Sequence, residues 1–263
     1  MGFVTHKVPH TYADFGKAFP CPACAGGQNA YQRRLDHLFR EAGIGAHHRR
    51  FTLDSFRALS PFDRNGKETA IAAASAWAGG ATIAYTEYSI PDPTGWDDHT
   101  RASLILYGKP GTGKTSLAAA AFIHRLEFEG AGLLIEFYEL IRAIQATYGG
   151  EPDGALRLLR AVQTAPLLMI DDLGDPDRGL ARGSFAETDD RRQQLHAILN
   201  DRCGADMPTI FTTNLTPDEI EMQFGRRDRE RLEQMAVWIE MGGTGLRPGV
   251  MSGGDSAVYR GGQ

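Results

Sequence analysis

Ser103–Thr115 reads S-L-I-L-Y-G-K-P-G-T-G-K-T, and S-L-A-A-A-A follows at 116–121. An apolar run, a glycine-rich turn, Lys-Thr and a stretch of helix formers predict strand, loop, helix. The Gly-x4-Gly-Lys-Thr spacing from Gly108 to Thr115 is that of a phosphate-binding P-loop in its proper context. Gly108, Gly111 and Gly113 permit positive φ, so that the loop of Lys109, Pro110, Thr112 and Ser116 can wrap an anion at a helix N-terminus, its N–H groups donating everywhere but at Pro110, which has none. Lys114 is placed to reach the β- and γ-phosphates, and the Thr115 hydroxyl to ligate Mg²⁺. The chain is expected to bind ATP with Mg²⁺.

Working outward, the core pattern alternates strands and helices, as in a parallel sheet with crossover helices. Strands are predicted at Ser103–Tyr107, Gly132–Tyr138, Pro166–Leu173, Pro208–Asn214 and Val237–Met241. Helices are predicted at Lys114–Phe128, Glu139–Tyr148, Gly154–Gln163, Thr188–Arg202 and Pro217–Phe224. The expected fold is α/β, a P-loop core with a five-stranded parallel sheet flanked by helices. Four zones emerge: an N-terminal Cys/His-containing module (1–50), a helical linker with a helix at Glu68–Ala78 (51–100), the core (101–243) and a flexible Gly-rich tail (244–263).

L-L-M-I-D-D at Leu167–Asp172 is an apolar strand ending in two acids. Such a strand, buried on both faces, delivers its carboxylates to the sheet edge that also carries the P-loop. Asp171 would hold Mg²⁺, and Asp172 would orient or deprotonate the attacking water. P-T-I-F-T-T-N ends in Asn214, whose amide can position that water or touch the γ-phosphate. In F-G-R-R-D-R-E-R-L-E-Q, Arg227 and Arg231 lie four apart on one helix face. A guanidinium reaching the γ-phosphate of a neighbouring subunit would stabilise transition-state charge; a solvated helix face is the alternative.

Composition sets outer bounds. The 263 residues are 42% hydrophobic and 23% charged, ordinary for a globular protein of one α/β domain plus an appendage. No apolar run approaches a membrane span and the first residues lack a signal-peptide core, so a cytoplasmic protein without a membrane partner is expected. Three cysteines argue against a disulfide framework. The net charge of −5 does not advertise nucleic-acid binding, although Arg33, Arg34, Arg40, Arg49 and Arg50 with His37, His47 and His48 form either a local basic stripe or a solvated helix face.

Walker A, D-D-L-G, P-T-I-F-T-T-N, R-D-R-E-R-L and G-G-T-G-L-R together resemble the AAA+ ATPases of the DnaC/DnaI helicase-loader and IstB transposition-ATPase group. L-H-A-I-L-N-D-R resembles that group's helix ending in Asn-x-Arg. E-F-Y-E-L-I-R-A-I resembles the strand and helix that initiator-type AAA+ proteins use near single-stranded DNA. The resemblance spans about residues 51–247 and implies Asp172 at the catalytic acid position, Asn214 as first sensor, and Arg231, then Arg227, as trans-acting finger. Arg247 resembles a late Gly-x-Ser-x-Arg motif, with Gly245 in place of Ser. Asp172 stands where many AAA+ proteins have Glu, which implies slow turnover, and the chain after Asn214 is too short for a full helical lid.

Cys21-x2-Cys24 is half of a zinc site. His6 and His10 upstream, the favoured pair, or His37 and His47 downstream would complete a Cys₂His₂ set; a redox or purely structural pair is the other reading. Loaders of the group carry an N-terminal zinc-bearing module. The resemblance therefore implies an ATP-dependent homo-oligomeric switch that binds DNA, single-stranded by preference, and a replicative helicase. An IstB-like regulator partnered with a transposition protein and assembling on duplex DNA is the alternative, and a P-loop nucleotide kinase a third.

Overall fold

Strand β1 is Ser103–Tyr107, and every one of its residues is buried. The computed structural model describes residues 3–4, 19–20, 25–80, 83–84, 100–146, 152–174, 185–243 and 245–246. With β2 (Leu133–Glu136), β3 (Leu168–Asp171), β4 (Thr209–Thr213) and β5 (Ala236–Glu240), β1 forms a sheet of order β2-β3-β4-β1-β5. Each neighbouring pair is parallel. Its alternation has a direct reading in the sequence. Leu104, Leu106, Met169, Ile210, Val237 and Ile239 face one apolar cluster, while Ile105, Leu168, Ile170, Phe211 and Trp238 face another. Both faces are dry, which is why the strands look continuously apolar.

The first face is covered by α1 (Ala25–Glu41), α2 (Leu53–Arg57), α4 (Glu68–Ala78) and α5 (Lys114–Glu129); the short α3 (Pro61–Arg64) joins α2 to α4. Ala70, Ala73 and Ala74 of α4 and Ala118–Ala121 of α5 are buried. Side chains this small let the two helices approach each other and the sheet closely. Trp77 ends α4 by donating its indole N–H to the Ala102 carbonyl at 2.9 Å. The Arg125 guanidinium lies 4.9 Å over the Trp77 ring and donates to the Trp77 carbonyl at 3.1 Å. The stretch set apart from sequence as a helical linker therefore shares the core of the sheet. The described end of the N-terminal zone does too: Leu38, Phe39 and Ile44 are in that cluster, and Tyr31 donates to Glu127 at 2.7 Å.

The second face carries α6 (Phe137–Ala146), α7 (Pro152–Thr164), α8 (Phe185–Gly204), α9 (Pro217–Phe224) and α10 (Arg226–Met235). The strand expected to run to Tyr138 stops at Glu136, because Phe137 and Tyr138 open α6 instead. Two aromatics after an apolar run read as strand in sequence, but both are buried on the inner side of a helix. Phe137 meets Phe224 edge-on at 5.6 Å. α9 begins as its sequence implies, with Thr216 and Glu219 forming a capping box ahead of Pro217. Among the described residues no helix follows β5.

The basic stripe is divided among packing tasks. Arg34 donates to the Glu127 carbonyl at 3.3 Å, Arg40 to the Asp36 carbonyl at 3.2 Å, and Arg49 to the Ile44 carbonyl at 2.9 Å while lying 4.5 Å over Phe39. Cys21, Cys24, His6 and His10 lie outside the described residues, as does Arg247. Among the described residues, His37 and His47 included, no group of three or more His, Cys, Asp or Glu side chains converges as a metal site. No described helix is long and apolar enough to cross a membrane.

Arg202, near the end of α8, has no exposed surface. It donates to Thr209 Oγ1 at 2.8 Å and to the carbonyls of Ala165 at 2.8 Å, Val162 at 3.0 Å and Pro208 at 3.1 Å. The Asn-x-Arg ending thus serves as a pin that ties α7, α8 and the start of β4 together. Burial pulls this guanidinium down to about 10, so it is still charged at neutral pH. Arg202→Met would strand several buried carbonyls, and we expect it to lower stability by about 3 kcal/mol or more. The check is the urea midpoint at unchanged slope.

Candidate active site

The P-loop turns at the C-terminal end of β1. Gly108 has φ +135°, and a Cβ there would sit 2.7 Å from the Met241 carbonyl oxygen. Gly113 caps α5 with φ +100°, and a Cβ there would meet Leu246 Cδ1 at 2.7 Å. Both positions require glycine, for conformation and for space. Lys114 is buried, with Nζ donating to the Gly108 and Lys109 carbonyls at 2.8 Å each. Thr112 Oγ1 donates to the Lys109 carbonyl at 3.1 Å and tightens the turn.

An open cleft of about 580 Å³ lies over this loop. Pro110, Gly111, Gly113, Lys114, Thr115, Ser116, Asp171, Asp172 and Asn214 all line it. Residues expected from sequence to act together, separated by as many as a hundred positions, therefore meet at one edge of the sheet. Gly108, Lys109 and Thr112 shape the loop from behind. Arg227 and Arg231 do not line the cleft. They stand on α10, whose buried side is Asp228, Leu232 and Met235.

One residue that sequence reasoning missed organises the acidic end. Thr212 on β4 donates its hydroxyl to Asp171 Oδ1 and accepts the Asp172 backbone N–H at 3.0 Å. Asp172 itself takes φ +51°, a left-handed conformation uncommon outside glycine. That turn exposes its carboxylate while Asp171 stays buried. Two adjacent acids thereby get different surroundings and can take different work. Thr213 fastens the same junction, its hydroxyl donating to the Leu173 carbonyl at 2.6 Å and accepting the Leu215 N–H at 3.0 Å. The signal in sequence is the Thr-Thr pair before Asn214: hydroxyls in a strand otherwise apolar need partners.

Glu136, paired in register with Asp171, adds a third carboxylate. Burial pushes its carboxyl up, and the neighbouring charges of Glu139, Asp172 and Asp171 push it further. This concentration of negative charge opposite Lys114 is one that a bound cation relieves. Thr115 and Asp171 offer hard oxygen donors, a set that suits Mg²⁺. The cleft is also lined by His47, His48, Arg50 and Phe51 with Leu246; the first three belong to the basic stripe read from sequence.

On α10, Arg226 pairs with Glu230 at 2.7 Å, and Arg229 with Glu221 at 2.7 Å and Glu233 at 3.0 Å. Arg231 donates to Gln234 at 3.0 Å, and Arg227 is exposed. The helix is held from behind by Asp228, which is buried and 2.7 Å from His196 Nδ1 on α8. Asn200 Nδ2 lies 2.8 Å from His196 Nε2, which assigns the ring proton to Nδ1. Burial pushes the Asp228 carboxyl up, against the lowering pull of His196.

The family model "ATPase family associated with various cellular activities (AAA)" matches residues 104–235, half of the chain. The chain belongs to the AAA family. It is an ATPase. The replicative helicase loader DnaI of Bacillus subtilis (strain 168) is 29% identical over 132 residues, 50% of this chain and 39% of that protein. The replicative helicase loader DnaC of Escherichia coli (strain K12) is 29% identical over 146 residues, 54% of this chain and 55% of that protein. This AAA chain thus spans about half the length, or less, of these curated relatives. Crystal structures of the DnaC helicase loader and of DnaI share its fold, each with a TM-score of 0.55. They are 20% and 23% identical to it, cover 75% and 77% of it, and are themselves covered over 100% and 94% of their lengths.

Thr212→Val keeps the shape of β4 and removes the hydroxyl that sets both acids. We expect turnover to fall roughly 10- to 100-fold with ATP affinity little changed, and stability to fall by about 1–2 kcal/mol. Steady-state phosphate release and thermal melts check both.

Proposed function

We propose that this chain is an ATP-dependent switch that delivers a replicative helicase to DNA and hydrolyses ATP slowly where two copies meet. The observation that carries the reading is the division of the machinery. One copy gathers the P-loop, Asp171, Asp172 and Asn214 around its cleft, while Arg227 and Arg231 stand apart on α10. Among the described residues the arginine lining the cleft is Arg50. Neither Arg227 nor Arg231 has a carboxylate partner among the described residues, unlike Arg226 and Arg229. A second copy would bring one of these guanidinium groups to the γ-phosphate, where developing charge is stabilised most.

In this reading the P-loop N–H groups and Lys114 hold the phosphates. Thr115 and Asp171 would hold Mg²⁺, which would supply neutralisation of phosphate charge. Asp172, exposed and turned away from Asp171 by its left-handed backbone, orients the attacking water and takes its proton. Asn214, at the end of the neighbouring strand, contacts the γ-phosphate or that water. Asp172 is one methylene shorter than glutamate, which accords with slow turnover suited to a timing device. The helicase partner is supported by the similarity to DnaI and DnaC, whose names state that role. Single-stranded DNA is the preferred nucleic acid in this proposal, and the assembly is a homo-oligomer formed on ATP.

Subunit mixing tests the shared site. Arg231→Ala or Arg227→Ala should lower turnover by about 10³-fold with ATP binding intact, and Lys114→Ala should abolish binding. Mixing the finger variant with Lys114→Ala should restore hydrolysis, because intact P-loops then meet intact fingers. Failure of the mixture to exceed its parts would overturn the trans arrangement. Electron microscopy with a non-hydrolysable ATP analogue and single-stranded or duplex DNA, followed by helicase pull-down, tests the assembly and its partners.

A further inference from the structure

The helix that carries Arg227 and Arg231 is short, and its first turn has little apolar surface to hold it. α10 follows α9 across a single residue, Gly225, whose φ of +97° turns the chain sharply. No side chain caps its N-terminus. Its buried apolar residues, Leu232 and Met235, both lie in its second half. On the outer side, Arg229 ties α10 to α9 through Glu221 and Asp218 and to its own next turn through Glu233. These contacts set α9 and α10 against each other; they do not set the first turn of α10 against α8.

Asp228 does. It is the buried residue of that turn, 3% exposed, and its Oδ1 lies 2.7 Å from His196 Nδ1 on α8. A carboxylate taken out of water costs stability unless it is bonded, and an apolar side chain would fill the same place more cheaply. What the carboxylate adds is direction. An N–H···O bond fixes distance and angle together, whereas apolar contact alone lets a short helix turn about its axis.

His196 is itself held from the other side. Asn200, one turn on, lies 2.8 Å from Nε2, so the ring presents its Nδ1–H to Asp228. One turn earlier, Arg192 donates to the Gln223 and Met222 carbonyls at 2.8 and 3.4 Å and closes the end of α9. Arg192, His196 and Asn200 recur at intervals of four along α8 and share one side of it, next to Leu195, Ile198 and Leu199, which bury α8 in the core. This stripe grips the α9–α10 corner on both sides of Gly225. None of its three residues is among those lining the cleft.

We propose that His196 is a positioning residue for the arginine finger: by holding Asp228 it fixes the first turn of α10, and with it the reach of Arg227 and Arg231 toward the γ-phosphate of a neighbouring copy. The inference rests on the shared site proposed above.

The test measures phosphate release, and displacement of a fluorescent ATP analogue, on the full chain. His196→Ala should lower turnover about 10- to 100-fold with ATP affinity little changed. Mixed with Lys114→Ala, whose finger is intact, it should regain turnover; mixed with whichever of Arg231→Ala and Arg227→Ala is inactive, it should not. His196→Asn places an amide N–H where Nδ1–H stood and should keep turnover. His196→Gln reaches the Nε2 position instead and should behave like the alanine variant. Unchanged turnover in His196→Ala, a loss of ATP affinity as large as the loss of turnover, or equal effects of Asn and Gln would overturn the proposal. Should His196→Ala fail to fold, the Asn and Gln pair, with His196→Gln mixed against Lys114→Ala, still decides. Mixing also separates the two levels. If Lys114→Ala rescues neither the finger variant nor the His196 variant, the shared site is wrong; if it rescues the finger variant alone, the role of His196 is wrong.

Discussion

A sheet that is dry on both faces can carry charged and hydroxyl groups only at its ends. β1, β3 and β4 are buried throughout their lengths, so the P-loop, the two acids and Asn214 all occur where those strands stop. Parallel pairing puts all the stopping points on the same edge. The cleft is thus a consequence of the buried sheet. The P-loop's conformation then depends on what surrounds it, since Gly108 is pressed by Met241 and Gly113 by Leu246.

Within that edge, Thr212 converts two neighbouring aspartates into two chemically different groups. Its hydroxyl engages Asp171, and its acceptance of the Asp172 N–H supports the left-handed turn that swings the second carboxylate outward. A polar side chain in a buried strand costs stability unless it is satisfied, and here each of the threonines near the strand end is satisfied by β3 or its continuation. The same economy governs Arg202, which among the described residues has no carboxylate beside it and meets its needs with carbonyls and one hydroxyl.

α10 shows how one short helix can have two differently charged sides. Its inner side carries Asp228, Leu232 and Met235 and is anchored to α8 through His196. Its outer side holds Arg226 and Arg229 in local ion pairs and leaves Arg227 and Arg231 without carboxylate partners among the described residues. Since α8 follows β3, the strand that carries the acids, the anchoring gives α10 a packed connection to the acidic end of the cleft.

Much of this was legible in the chain. The order of strands and helices, the P-loop, Asp171, Asp172 and Asn214 follow from local patterns: apolar runs, glycine spacing, and polar residues where apolar runs end. Such signals lie within a few residues of one another, so sequence carries them whole. The stop of β2 at Glu136, the sharing of the core by α1 and α4, the bridging role of Thr212, and the buried pin of Arg202 were not legible. Each depends on what lies across a strand pair or over a helix from residues distant in sequence. Burial and hydrogen-bond satisfaction are properties of the packed chain, and they decided which threonine, histidine or arginine is a structural pin and which is left to meet a ligand.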